Sequence, residues 1–204
     1  MKKIVSLLAA MALCLSMVAL AVPSKTTDNG TFVVVSNDSG VTVETASQVN
    51  NTLATALANL GNTVVETIKS ATATVADVIK QFNNLLSSTS ESGQQTTLAE
   101  VVSEAIGKNT SESDLVYADH KDSVTFTVAS ASGVTMIQSS MNFKPDAKVA
   151  VVLTYVDSTG NLVTKIITAI TAGNGILIFQ NADLVGINGQ EVMVDVWGHA
   201  SDLA

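Results

Sequence analysis

Hydrophobic residues change their spacing several times along this chain, and each change predicts a different kind of element. Ile4 to Leu20 is a nearly unbroken apolar run behind Lys2 and Lys3, and it closes on Ala19-Leu20-Ala21. A basic start, an apolar middle and a small-x-small end are the pattern of a secretory signal peptide, cut after Ala21. As a membrane anchor the same run is marginal, since about 20 apolar residues are needed to cross a bilayer.

Past a polar leader, Phe32-Val33-Val34-Val35 and Val41-Thr42-Val43 flank Ser36-Asn37-Asp38-Ser39-Gly40. Two β-branched runs around such a cluster predict a β-hairpin. From Ala46 to Gly107 the spacing lengthens to three and four, through Leu53, Leu57, Leu60, Val64, Ile68, Ala71, Val75, Val78, Phe82 and Leu85. That stripe marks one face of a helix. Consecutive steps of four around Val64 shift the stripe, and Gly61 stands beside the shift. Two helices in an antiparallel hairpin therefore fit better than one of about 40 residues. Ser87 to Gln95 reads as a loop. Thr97 and Glu100 have the spacing of a capping box, opening a short helix over Leu98, Val102 and Ile106 that Gly107 would end.

From about Leu115 the spacing falls to two. Val124, Phe126 and Val128 alternate with threonine, Val149 to Val156 is apolar on both faces, and Asp157 to Asn161 forms a turn into a return strand from Leu162. Gly173-Asn174-Gly175 turns the chain again into Ile176 to Phe179, and Val192, Val194 and Val196 alternate with Met193, Asp195 and Trp197. The pattern predicts an α+β protein: a signal peptide over 1–21, a hairpin and amphipathic helices over 22–110, and a C-terminal antiparallel β-sandwich over 111–204. The boundary falls at Lys108 to Asp114, a polar stretch without an apolar anchor, although the helices would also serve to cover one face of the sheet.

Composition narrows the chemistry. Cleavage after Ala21 removes Cys14, the only cysteine, so disulfides, thiol nucleophiles and thiolate metal sites are all excluded from the mature chain. About 183 residues remain, enough to build a core without crosslinks. No arginine is present, and eight lysines face 18 acids beyond the leader, a net charge of −10. Nucleic acid and anionic membrane are poor partners for such a surface, and no guanidinium fork can grip a phosphate or carboxylate.

Few residues suggest catalysis. His120 lies in Tyr117-Ala118-Asp119-His120-Lys121-Asp122, which reads as a charged, solvated loop ahead of the first long strand. His199 sits near the C-terminus, and the chain has no G-x-S-x-G elbow to present a serine to it. Asp157, Asp183, Glu191 and Asp195 are candidate acids for glycoside chemistry, and Asp157 with Asn161 are candidate calcium ligands, though a full calcium loop is missing. Asp195 stands mid-strand, and alternation places it with Met193 and Trp197 on what reads as the solvent face. Trp197, Asp195 and Tyr155 are therefore the candidate ligand-binding residues, for stacking on a sugar or anchoring a protein. Packing of Trp197 against the core or the helices is the competing and favoured reading.

The sequence thus points to a secreted or cell-surface, non-enzymatic binding or structural module. It has no assigned catalytic residue, metal or cofactor; its expected ligand is a protein or carbohydrate, with no nucleic acid, no stable membrane span once the signal is cut, and homo-oligomerisation open. Two alternatives stand beside it: an exported hydrolase using His120 or His199 with aspartates, and a helix-driven oligomeric or membrane-active protein.

Overall fold

Alternation of apolar with polar residues carries strands through most of the second half of the chain, and the helical stripe breaks more often than its period suggests. A computed structural model describes residues 33–34, 40–46, 48–89, 96–138 and 142–204. The expected signal segment with Cys14, the 35–39 part of the expected first turn and the 90–95 part of the expected polar loop lie outside the described residues. The strands are β1 (Val33–Val34), β2 (Val41–Ala46), β3 (Leu115–Val128), β4 (Val134–Gln138), β5 (Lys148–Val156), β6 (Leu162–Gly173), β7 (Ile176–Gln180) and β8 (Glu191–His199). The helices are α1 (Asn51–Asn59), α2 (Val64–Lys69), α3 (Val75–Thr89), α4 (Leu98–Ile106) and the short α5 (Asn181–Leu184).

The expected helical pair is three helices. Gly61 adopts φ +63 and ends the first segment, as a residue without Cβ readily does. A second break follows at Ser70, because Thr74 starts a new helix of its own: its hydroxyl accepts from the Asp77 amide while Asp77 Oδ2 accepts from the Thr74 amide at 2.8 Å. Those hydrogen bonds also hold the Asp77 carboxyl below its ordinary range. The capping box is present as expected, with Thr97 and Glu100 each accepting from the other's backbone, and Gly107 closes α4 at φ +68.

All eight described strands belong to one antiparallel sheet in the order β1-β4-β7-β6-β5-β8-β3-β2. The N-terminal strands do not pair with each other, because β1 pairs with β4 and β2 with β3, at opposite ends of that order. Only six residues separate β1 from β2, a span of about 25 Å at most, and their Cα atoms approach within 8 Å. The two edges therefore meet, and the sheet curls until it nearly closes like a barrel. Closure of this kind shields edge strands that would otherwise recruit another chain.

Curling gives the sheet an inner and an outer face. Val149, Val151 and Leu153 of β5 join Val192, Val194 and Val196 of β8 and Phe126 of β3 in the inner cluster. Ala150, Val152, Met193 and Trp197 point the other way, into a second cluster with Leu53, Phe82, Leu85 and Val102 of the helices. Because both faces are covered, β5 reads as a continuous apolar run rather than an alternation. Each fully buried Leu or Phe contributes about 1.5–3 kcal/mol before its entropy cost. The 108–114 segment is tied down as well, since Lys108 Nζ lies 2.9 Å from Asp202 Oδ1.

One contact in the inner cluster leaves no space for even a methyl group. The ring of Phe143 lies over Gly198, and a Cβ built on that glycine would stand 2.3 Å from the ring. Gly198→Ala is expected to destabilise the mature chain by about 1–3 kcal/mol, read from its urea midpoint; an unchanged midpoint would show that Phe143 moves freely.

Candidate functional site

His120 is the residue whose surroundings depart most from expectation. It lies within β3 rather than in a loop, paired in register with Asp195 of β8, and its side chain is 12% exposed. Two irregularities in the β3–β8 register, at Tyr117/Asp119 and Lys121/Val124, flank it. Bulges of this kind add a residue to one strand and re-aim its side chains. Asp119 and Lys121 register against Val196 and Val194, whose side chains belong to the inner cluster, whereas His120 and Asp122 reach the helical layer.

Within the helical layer the polar groups form a chain. Tyr117 donates its hydroxyl to Asp195 Oδ1 at 2.7 Å, and His120 Nδ1 lies 2.7 Å from the same oxygen. The other ring nitrogen, Nε2, meets Asp122 Oδ1, and Asp122 Oδ2 pairs at 2.8 Å with Lys69 Nζ from the end of α2. Asp195 is fully buried, Asp122 nearly so, and Lys69 is half exposed. The neighbouring pair, Lys121 Nζ with Asp119 Oδ1 at 3.2 Å, is buried too, and Asp119 Oδ1 also accepts from the His120 amide.

Electrostatics follow from this arrangement. A carboxylate only accepts, so a ring with a carboxylate at each nitrogen carries both protons. Burial alone would lower the His120 pKa, but the Asp195 charge and the hydrogen bonds to Asp122 and Asp195 outweigh it and raise the value to about 9. Asp122 is held below the ordinary carboxylate range, its own burial being overcome by His120 and Lys69. Burial, with the adjacent Asp195 charge, pushes the Tyr117 hydroxyl well above its usual pKa.

Such an imidazolium has no lone pair left for a metal or for a nucleophile's proton. Among the described residues its ring nitrogens meet Asp195 and Asp122 rather than a serine or threonine, and no three His, Cys, Asp or Glu are grouped to hold a metal ion. His199 does something simpler: its Nδ1 accepts from the Ser201 amide at 3.1 Å, capping the last turn of the chain.

The candidate binding residues are not brought together. Asp195 and Trp197 do share a face with Met193, but α1, α3 and α4 cover it, so the expected solvent face is an interior one. Trp197 is fully buried, edge-on to Phe82 of α3 at 5.4 Å and tilted against Tyr117 at 4.6 Å. Tyr155 belongs to the inner cluster on the opposite face of the sheet. The candidate acids disperse likewise. Asp157 Oδ1 accepts from the Thr159 amide, the Thr159 hydroxyl and the Asn161 amide, so this carboxylate staples its own turn. Glu191 Oε1 accepts from the Asn50 amide at the start of α1, and Asp183 lies in α5.

A shallow groove of about 400 Å³ runs between α1 and the β5–β6 turn, lined by Asn51, Thr55, Asn59, Val156 and Gly160 among others, and none of its residues belongs to the His120 chain. No helix among the described residues is long and apolar enough to cross a membrane. What the alternation did signal was an ionisable residue in the middle of an apolar strand, Asp195; its partners 75 and 78 positions away had no local signature. Compared with protein-family models, curated proteins and solved structures, the chain matches none.

Proposed function

We propose that this chain is an exported, non-enzymatic binding or structural module, and that its ionisable cluster serves to fasten helices to sheet rather than to transform a substrate. The observation that carries the reading is the double engagement of His120, which leaves the residue types of an acid–base centre without a free lone pair. Export rests on the basic, apolar and small-residue order of the first 21 positions. A cysteine-free, arginine-free, acidic product suits a packed scaffold that presents its surface to a protein or carbohydrate.

Expression of the full chain in a secreting host tests both halves. The protein recovered from the medium is expected to begin at Val22, and its retention inside the cell with Met1 still attached would overturn export. Against a panel of ester, glycoside and peptide substrates, no turnover is expected; a turnover that a folded His120→Gln variant loses would establish the hydrolase instead.

A further inference from the structure

We infer that His120 is a proton-dependent latch between the layers of the fold, joining strand β8 to helix α2 only while its imidazole carries both protons. The connection runs from Asp195 in β8 through the ring of His120 in β3 to Asp122 and across to Lys69 on α2. Each link depends on the one before it. When the ring loses a proton, one nitrogen turns a lone pair toward a carboxylate, and attraction at that position becomes repulsion. Where the lone pair turns toward Asp122, that carboxylate is held by Lys69 alone, a half-exposed ammonium whose pairing is weak in water; where it turns toward Asp195, the link to β8 is the one lost.

The ionisable groups around the ring define the direction of the effect. Asp195 faces it from β8, Asp122 and Tyr117 from β3 and Lys69 through Asp122 from α2, while Asp119 accepts from its backbone amide and pairs with Lys121. Three carboxylates against two lysines leave a place for one more positive charge. The histidine supplies it, and His120, with its ordinary value of 6.5 raised to about 9, keeps it through neutral pH. Stability from the latch is therefore complete below about pH 6.5 and fades as pH rises through about 9. On the acid side Asp122, held below the usual range, keeps the latch closed.

The molecule contains its own reporter, because Trp197, the only tryptophan, packs against Tyr117, whose hydroxyl shares the Asp195 oxygen with His120. The test follows the mature wild-type chain from pH 6 to 9.5 by two readouts: the His120 ring resonance in NMR, and acrylamide quenching of Trp197. The ring is expected to titrate far above free imidazole, with quenching rising about twofold or more at the same midpoint while the far-UV signal of the sheet persists. A ring that titrates near 6.5, or quenching that stays flat or follows a different midpoint, overturns the latch. A His120→Gln chain, where it folds, is expected to show quenching without pH dependence over this range; a dependence identical to wild type also overturns it. Export and lack of turnover are untouched by either result.

Discussion

Asp195→Ala should cost about 3–5 kcal/mol of unfolding free energy, because it strips a buried imidazolium and a buried phenol of their shared acceptor at once. The wild-type pair need not be strongly stabilising for this to hold. Removing one member leaves the other charged and desolvated, and that penalty is the larger quantity. A double variant, Asp195→Ala with His120→Ala, is accordingly expected to lose less than the two single losses added together. Urea denaturation at pH 7 measures all three. Additive losses would show that the two residues do not interact. The gap between the ordinary and the folded His120 pKa, 6.5 against about 9, corresponds to ~3 kcal/mol. Wild-type stability should fall by roughly that much between pH 6.5 and 9.5, whereas the Asp195→Ala chain should lose much less over the same interval.

Trp197→Ala is expected to destabilise by a similar 3–5 kcal/mol through an entirely apolar route. The indole fills the junction of β3, β8 and α3 between Phe82 and Tyr117, both themselves buried, so its removal opens an interior cavity. Trp197→Phe should cost distinctly less. Among the described residues the indole Nε1 has no hydrogen-bond partner, so its removal forfeits packing but no bond. If Trp197 instead formed a ligand surface, alanine would leave the denaturation midpoint nearly unchanged. Thermal and urea unfolding of the three proteins separates these outcomes.

These two residues show how far the sequence could be read. Asp195 stood out as an acid inside an apolar strand, and Trp197 as the single large aromatic beside it, and their common face followed from alternation alone. Which face met water did not follow. Alternation separates two faces but is silent about what covers each, and here the inner face is closed by the curl of the sheet and the outer by helices. The segment around His120 was misread for a related reason: five polar or charged residues among Asp119 to Ser123 look like a loop, but two bulges and a buried ion network hold them in β3.

Local features were legible because their causes are local. The Thr97–Glu100 box, the Gly61 and Gly107 helix ends and the Asp157 turn each arise from residues a few positions apart, whose hydrogen bonds and steric limits are the same in any fold. Strand partners are another matter. β8 lies between β3 and β5, β1 and β2 sit on opposite ends of the sheet order, and the chain from Tyr117 to Lys69 crosses three elements. Those neighbours result from pairing free energies summed over whole strands and from the apolar area that helix docking buries, and no short stretch of sequence records such sums. Periods, caps and turns therefore belong to the chain as written, while the closing of the sheet, the covering of the Asp195–Trp197 face and the protonated His120 exist only once distant segments have packed.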